Sequence, residues 1–436
     1  FEAKTYTGNG STQAITGLNF SPDAVWIKSR SFGYDHALFD PLRGALKRLR
    51  PNQTNAEGTD STTLTSFNSD GFTTGSDDVT NKNNDAYIAW AWDAGADSSK
   101  TYTVKVVSDS GNKYRFDDFG TSAVTLDLAE GSTYIFDQSD SSNSGHPLRF
   151  STTSNGTHGG GSEYTTGVTV TGTPGQAGAK TTIVVAASAP TLYYYCTQHS
   201  GMGGQANTNS TAGASNFDGG IQATIKANQT AGFSMGKFTG TGSVNTVGTG
   251  LSNTKMLILK NRDSSSNWVF YHTLVDGSYD YMYLNLTTAN ASSGLTHTMN
   301  NTFKVGTNTD TNASGADYLF MAFSPVADYS EFGSYTGNGS SDGPFVYTGF
   351  RPALIITKRT DSTGGWVLWD TARNPSNVAT KELYPDDPSV EYTGGGIDIL
   401  SNGFKLRNSS AHENNNNASY IYVAFAENPF KTARAR

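Results

Sequence analysis

A unit of about 95 residues occurs three times in this 436-residue chain, and no other feature limits the fold as strongly. Each copy opens with a strand pattern that ends in a glycine-rich turn, at residues 4–10, 237–242 and 334–339. A nearly continuous apolar run ending in lysine follows, at residues 22–28, 254–260 and 352–358. Such continuous hydrophobicity predicts a central, buried strand.

The three copies also close alike, with a turn, an Asn-rich loop and an aromatic-rich strand at residues 85–92, 317–323 and 419–425. Because apolar side chains occupy both faces of these closing strands, we expect them to be buried, with Trp90, Phe323 and Phe425 in the cores of their own sandwiches. Short strands, polar Gly/Asn loops and no convincing amphipathic helix predict an all-β chain of antiparallel, jelly-roll-like β-sandwiches.

The composition narrows the classes of function. Gly (48), Tyr (22) and Phe (23) are abundant, whereas only 16% of residues are charged and the net charge is −8. The basic residues cluster only at 43–50, which we interpret as a solvated loop or helical turn, so nucleic acid is not an expected partner. No apolar run approaches the ~20 residues of a membrane span, so no membrane is expected either. The chain begins at Phe1 without Met, from which we expect a preceding segment.

The only cysteine lies in a loop with the spacing Cys-x-x-His-x-x-Met, formed by Cys196, His199 and Met202. A single cysteine excludes an intrachain disulfide. A thiolate, an imidazole and a thioether on one loop make a soft ligand set of the kind that copper takes, and a second imidazole must come from elsewhere. His146, after a strand pattern at 131–140, lies where that ligand is needed.

Residues 101–206 thereby resemble the cupredoxins, with the short ligand loop of amicyanin-like members. The resemblance implies a Greek-key β-sandwich in which His146, Cys196 and His199 are equatorial copper ligands and Met202 is the axial one. Pro147 departs from the family, because many members carry Asn there, whose side chain helps to hold the ligand loops together. The alternative is a sandwich kept as a spacer or binding module, with Cys196 and Met202 as core residues.

We therefore expect five segments: a first sandwich at 1–97, the cupredoxin-like module at 98–206, a linker at 207–231, a second sandwich at 232–328 and a third at 329–436. The linker assignment rests on a composition rich in Asn, Ser, Thr, Ala and Gly. The expected arrangement is a row of separate sandwiches along an extended chain.

The repeats, with their Tyr-Thr-Gly-Asn-Gly opening and Tyr-Ile-Ala-Trp-Ala-Trp type of closing strand, resemble an uncharacterised repeat in virion structural proteins of marine tailed phages, notably cyanophages. The resemblance implies a tail-fibre, tail-associated or capsid-decorating protein of the virion, made in the host cytoplasm. Its implied partners are other virion proteins and a host cell-surface glycan. The alternative function is a copper protein that transfers electrons or sequesters the metal.

No catalytic motif is apparent, so we do not expect an enzyme. The pairs Asp40/Arg43 and Asp370/Arg373 could form a carbohydrate-facing or catalytic couple, but an ion pair that closes a turn is the favoured interpretation. His158 is expected to be a solvated loop residue. Low charge and the lack of disulfides favour a homo-oligomer, with a trimer as the leading expectation.

Overall fold

The structure is a computed structural model that describes residues 1–96, 99–208 and 212–426. Strands account for 43% of it and helices for 4%, which confirms the all-β sandwich fold class. Within the described residues, no helix is both long enough and apolar enough to cross a membrane. The repeats are called units 1, 2 and 3 below, and the segment between units 1 and 2 is called the inserted module.

The elements follow one another along the chain. Unit 1 contains α1 (Asp78–Asn81) and strands β1 (Glu2–Thr7), β2 (Gln13–Thr16), β3 (Ala24–Ser29), β4 (Ala37–Phe39), β5 (Lys47–Arg48), β6 (Gly58–Thr59), β7 (Leu64–Asn68), β8 (Gly71–Thr74) and β9 (Ala86–Trp92). The inserted module contains β10 (Lys100–Ser108), β11 (Asn112–Phe116), β12 (Leu126–Asp127), β13 (Thr133–Asp137), β14 (Leu148–Ser151), β15 (Glu163–Tyr164), β16 (Val168–Thr171), β17 (Lys180–Val184), β18 (Leu192–Cys196) and β19 (Gly204–Asn207), with 3-10 turns at Ser141–Asn143 and Gly156–Gly159.

Units 2 and 3 complete the chain. Unit 2 contains β20 (Ala214–Asn216), β21 (Ala223–Asn228), β22 (Phe233–Thr239), β23 (Asn245–Gly248), β24 (Met256–Asn261), β25 (Val269–His272), β26 (Asp280–Tyr283), β27 (Ala291–Ser292), β28 (Thr302–Val305), α2 (Thr309–Asn312) and β29 (Asp317–Phe323). Unit 3 contains β30 (Ser330–Thr336), β31 (Phe345–Tyr347), β32 (Pro352–Arg359), β33 (Trp366–Asp370), β34 (Ala379–Glu382), β35 (Tyr392–Leu400), β36 (Gly403–Leu406) and β37 (Ser419–Ala426).

The three units share one sheet topology. The strand orders are β1-β9-β3-β4 in unit 1, β22-β29-β24-β25 within the larger sheet of unit 2, and β30-β37-β32-β33 in unit 3. The registers agree as well, since Lys28, Lys260 and Lys358 each pair with the equivalent apolar residue of the closing strand. The matched sequence patterns therefore correspond to equivalent strands.

The closing strands have two apolar faces that enter two different cores. In β9, Tyr87 and Ala89 pack inside the sandwich of unit 1. Alternate residues of a strand point to opposite faces, so Ile88, Trp90 and Trp92 enter a second cluster that also contains residues of units 2 and 3. We call this cluster the shared core. The expectation that Trp90, Phe323 and Phe425 lie in separate sandwich cores is therefore wrong, because all three lie in the shared core.

Aromatic rings mark the centre of the shared core. Trp92, Phe323 and Phe425, which occupy equivalent positions on the three closing strands, form a triangle with ring centroids 5.8 to 6.4 Å apart. Phe1 bridges units 1 and 3 by contacting Trp92 and Phe425, and Phe233 bridges units 2 and 1 in the same way. The units thus form a closed, pseudo-threefold ring, and the expected extended row of separate sandwiches is wrong.

Each junction in the ring uses equivalent hydrogen bonds. His36, Trp268 and Trp366 occupy equivalent positions just before β4, just before β25 and at the start of β33. A ring nitrogen of each contacts backbone carbonyls of a neighbouring unit. His36 contacts those of Tyr384 and Asp387 in unit 3, and Trp268 those of Arg50 and Gln53 in unit 1. Trp366 contacts the carbonyl of Tyr283 in unit 2. His36 Nδ1 accepts from Trp26 Nε1 at 2.8 Å, so its Nε2 is the donor.

The segment assigned as a linker instead contributes two strands to a sheet. β20 and β21 pair with each other and then with β22, so they extend the main sheet of unit 2. They also bind the inserted module: the carbonyl of Ser215 accepts from Tyr102 Oη at 2.9 Å, and Ser215 Oγ accepts from Asp127 N at 2.8 Å. The polar composition of this segment suggested a flexible linker. The composition is polar because the side chains of these strands contact the inserted module. Residues 209–211 lie outside the described residues.

The inserted module is a two-sheet sandwich. One sheet has the order β11-β10-β13-β17-β16 and the other β12-β19-β18-β14-β15. Two pairs are parallel, β10 with β13 and β12 with β19. Its own hydrophobic cluster, which includes Tyr102, Phe136, Phe150, Leu192 and Cys196, lies between the two sheets.

Candidate metal centre

The four predicted ligands come from two neighbouring strand ends of the inserted module. β14 and β18 are antiparallel partners in which Leu148 pairs with Cys196. His146 lies two residues before Leu148, and His199 and Met202 follow Cys196 in the loop before β19. The pairing of these strands therefore carries His146 to the loop that holds the other ligands.

Three of the four residues converge. Cys196 Sγ lies 3.9 Å from His146 Nδ1 and 3.8 Å from His199 Nδ1, and the three ligand atoms lie within 4.8 Å of one another. For a metal bonded to sulfur at about 2.3 Å and to nitrogen at about 2.05 Å, sulfur and nitrogen this far apart subtend an angle of roughly 125°. The two sulfur–nitrogen distances therefore fit a trigonal metal site.

Met202 is also buried, in the hydrophobic cluster that contains Cys196. Its carbonyl accepts a 3.0 Å hydrogen bond from Tyr114 N, which ties the ligand loop to β11. The axial position expected for its thioether stays a prediction. Within the described residues, the group of His146, Cys196 and His199 is the one set of three or more ligating side chains found this close together.

The backbone of His146 is held from both sides. Its amide donates to Asn143 O at 2.8 Å, and its carbonyl accepts from Tyr114 Oη at 2.9 Å and from Gln138 Nε2 at 2.8 Å. Gln138 Oε1 in turn accepts from Leu148 N. These bonds fix the position of His146 without using its ring, which leaves Nδ1 directed at Cys196.

The ligand loop is pinned despite Pro147. Thr197 N donates to Pro147 O at 3.1 Å. This backbone hydrogen bond joins the two ligand segments, which in many cupredoxins are held together with the help of an Asn side chain at the position of Pro147. Asn155 adds two further bonds, because its Nδ2 donates to Ser200 Oγ and its Oδ1 accepts from Gly201 N, both at 2.8 Å.

His158 is an exposed loop residue, as predicted, and makes one contact that was not predicted. The ring is exposed, as expected for a loop residue, but its Nε2 lies 3.1 Å from Cys196 O and donates to that carbonyl. His158 thus contacts the backbone of the cysteine ligand from the outer side. The glycine-rich sequence around it carries no signal for this contact, since it depends on the fold of the 3-10 turn at Gly156–Gly159.

The environment of His146 suits a neutral imidazole beside a buried sulfur. Cys196 is fully buried, whereas His199 is exposed. Burial, and then the neighbouring His199, lower the pKa of His146. A lower pKa keeps its nitrogen unprotonated and able to bind a metal at neutral pH. The exposed His199 gives an ion access to the site from solvent.

The Asp-x-x-Arg pairs are turn-closing ion pairs, as predicted. Asp40 and Arg43 are fully buried at the ion pair, and Asp40 Oδ1 also accepts from Arg43 N; Asp370 and Arg373 repeat the arrangement. Sequence reasoning missed their further partners. Glu57 joins Arg43 to Arg262 of unit 2, and Glu391 joins Arg373 to Arg30 of unit 1.

The fold and site together define an all-β protein whose three-unit ring carries a module with a cluster able to hold a metal. The chain belongs to the family described as a domain of unknown function, DUF7483, whose model matches residues 1–125 and 205–429. The four candidate ligands lie in the stretch between those two matched parts. No curated protein and no solved structure matches the chain.

Proposed function

We propose that this protein binds one copper ion in the inserted module, in a site of the blue-copper type. The observation that carries the proposal is the pair of distances from Cys196 Sγ to the two imidazole nitrogens, 3.9 and 3.8 Å. They suit three strong ligands in a plane around a metal, and Met202 supplies a weaker fourth ligand from the same loop.

The donor set favours copper over zinc. Structural zinc sites are tetrahedral with four strong ligands, usually thiolates and imidazoles. Here the set is one thiolate, two imidazoles and one thioether, and a His2Cys trigonal site with a long axial Met is the arrangement found for blue copper. The two-sheet sandwich and the ligand order His, Cys, His, Met support a cupredoxin-like module.

When bound, copper supplies one-electron redox chemistry. The chain's own part is to hold the ligands in place: Tyr114 and Gln138 fix the backbone of His146, while His158 and Thr197 fix the cysteine loop. A ligand set held in place by the chain in this way would suit electron transfer or copper storage alike.

The test is to load the purified protein with Cu(II) and to measure bound copper and the thiolate-to-copper absorption. We expect one copper per chain and a blue colour, both lost in Cys196→Ser. The matched control is His297→Ala, a loop histidine of unit 2 that should change neither. Zinc bound in preference to copper, or copper retained by Cys196→Ser, would overturn the proposal.

We also propose that the chain is a structural component of a phage virion that contributes to assembly and host-surface adhesion. The closed three-unit ring favours this role, since it gives one chain the threefold form that a homotrimer would otherwise provide. The likeness of the repeats to marine tailed-phage virion proteins supports it further. Mass spectrometry of purified particles tests it, and absence of the chain from infectious virions would rule it out.

Self-association stays a prediction of this second proposal. We expect a homo-oligomer, with a trimer of rings as the leading state, measured by light scattering at high protein concentration. A chain that stays monomeric in solution and makes no contacts within its particle would contradict it.

A further inference from the structure

The ring is not fully symmetric, and the largest departure lies in unit 2. The second sheet of each sandwich has three strands in unit 1 (β2-β8-β7) and four in unit 3 (β31-β36-β35-β34), but two in unit 2 (β23-β28). The strands β7 and β35, which cover the main sheet in units 1 and 3, have no counterpart in the second sheet of unit 2. Instead, β26 and β27 extend the main sheet sideways.

The missing cover changes the environment of one equivalent aromatic position. Phe39, Tyr271 and Trp369 occupy the same register position on β4, β25 and β33. Phe39 packs with Leu64 of β7, and Trp369 packs with Ile397 and Ile399 of β35. Tyr271 is buried too, with the ring of Tyr279 stacked on it at 4.8 Å, but it also lines a groove with a volume of about 310 Å³, which we call the tyrosine groove.

Tyrosines form one wall of this groove. Tyr271 pairs with Tyr281, and Val269 with Tyr283, so all four side chains lie on one face of β25 and β26. The rings of Tyr281 and Tyr283 lie 5.4 Å apart at 76°, and both remain partly exposed. Tyrosine offers a broad apolar ring with a polar tip, which suits a ligand that is apolar on one face and hydroxylated at its edge.

Polar side chains also line the groove, namely those of Asn308, Asp310, Thr311, Ser292 and Ser293. Asp310 Oδ1 accepts from Asn267 N at 3.1 Å, which holds the carboxylate in position. Carboxylate, amide and hydroxyl groups are the partners that sugar hydroxyls need.

Charge narrows the ligand further. The lining residues include one carboxylate, at Asp310, and no lysine or arginine. A phosphate or an acidic sugar would therefore be repelled by Asp310, with no lysine or arginine among the lining residues to offset the repulsion. The groove falls at the lower end of the volumes of about 300–1,000 Å³ that are typical of small-molecule sites, which suits one or two sugar rings and not a protein surface.

We propose that the tyrosine groove of unit 2 binds a neutral pyranose of a glycan chain, with the sugar ring stacked on Tyr281 or Tyr283 and its hydroxyls bonded to Asp310. This inference deepens the adhesion part of the proposed virion role and rests on it. It is independent of copper, because the groove belongs to unit 2 and the metal cluster to the inserted module.

The test uses the full chain and three neutral probes, chitotetraose, maltotetraose and cellotetraose, each measured by saturation-transfer NMR and titration calorimetry. We expect at least one to bind, and Tyr283→Ala to weaken that binding tenfold or more. Asp310→Asn, which keeps an oxygen for Asn267 N and removes the charge, should weaken it several-fold with unchanged folding. Tyr347→Ala is the matched control, since Tyr347 is 64% exposed and lies in unit 3.

The proposal would be overturned if none of the probes bound at about 10 mM, or if Tyr283→Ala and Asp310→Asn both bound the sugar with the affinity of the wild type. Displacement of a bound sugar by decaproline would also overturn it, because it would identify a groove for proline-rich peptides. The virion role is tested separately by particle composition. Sugar binding can therefore fail while the chain is found in virions, and the two results remain distinguishable.

Discussion

Trp90 Nε1 of unit 1 donates a 3.1 Å hydrogen bond to Asp370 Oδ2 of unit 3, across 280 positions of sequence. The same carboxylate oxygen binds Arg373 Nε at 2.6 Å. The buried turn of unit 3 is thus completed by a side chain of unit 1. Units joined in this way through a common core should unfold together and not one by one.

Trp90→Ala is expected to destabilise the whole ring. Removing a large buried aromatic side chain costs about 3–5 kcal/mol of unfolding free energy, and here the loss falls in the shared core. Chemical denaturation followed by fluorescence and by hydrogen exchange should show units 1, 2 and 3 weakened together. Trp90→Phe separates the hydrogen bond from the packing, with a smaller expected loss. Destabilisation confined to unit 1 would argue against a single cooperative ring.

Glu57→Ala is expected to weaken the junction between units 1 and 2. Glu57 accepts from Arg262 at 2.8 and 3.1 Å and from the buried Arg43 at 3.1 Å, so its removal leaves a buried guanidinium without one partner. Because Arg43 keeps its ion pair with Asp40, we expect a loss of about 1–3 kcal/mol, measured as a lower midpoint of urea unfolding. Asp342→Ala, whose side chain is 80% exposed, is the control and should change stability by less than about 1 kcal/mol. Equal effects of the two substitutions would count against the junction.

Three equivalent lysines predict how stability changes above neutral pH. Lys260 Nζ donates to Ser266 O at 3.0 Å and to Thr54 O of unit 1 at 3.2 Å. Burial lowers the pKa values of Lys28, Lys260 and Lys358 to about 8. The unfolded chain therefore holds protons between pH 8 and 10.5 that the folded chain has released, so the free energy of unfolding rises with pH in this window.

The measurement is denaturant unfolding at several values from pH 8 to 9.5, below the range in which tyrosines begin to ionise in the unfolded chain. The wild type should become more stable with rising pH, and Lys260→Met should show a smaller slope by about one proton. Lys255→Met, at a partly buried lysine just before β24, is the control. Identical slopes for all three proteins would contradict the lysine assignment.

His158→Ala is expected to weaken copper binding without removing it. His158 contacts the carbonyl of Cys196 and not the metal position, and outer partners of this kind typically contribute 10–100-fold in metal affinity. Competition with a chelator should show a loss of about tenfold or more, with a blue band that persists. A band that disappears as in Cys196→Ser would show instead that His158 is a ligand.

Local patterns revealed the strands and the ligand loop, whereas long-range packing could not be seen from them. Cys196, His199 and Met202 lie within seven residues of one another, so their spacing carries the site, and His146 follows from the need for a second imidazole. The apolar faces of β9 predicted burial on both sides. These faces did not reveal that the outer face of β9 packs against units 2 and 3. An apolar run has the same sequence pattern whether its side chains fill one sandwich or a core shared by three units.

Polar contacts between distant segments were equally hidden. Glu57 and Arg262 are 205 positions apart, and nothing around either residue distinguishes a buried pair from two solvated charges. Tyr281 and Tyr283 of β26 belong to unit 2, and in units 1 and 3 the second sheet covers the equivalent face of the main sheet. The structure shows that the second sheet of unit 2 has fewer strands and that a groove remains on this face.

Joining three similar units in one chain frees each of them to change alone. In a ring of three identical chains, any substitution appears three times, and an insertion after one unit would appear after all of them. In this chain, the position of Asp40 in unit 1 and Asp370 in unit 3 is occupied by His272 in unit 2. The two aspartates pair with arginines, whereas His272 Nε2 contacts Asn290. Such a ring can carry a single metal cluster and a single groove in fixed relative positions. Each ring then has one of each site, whereas a homotrimer would have three of each.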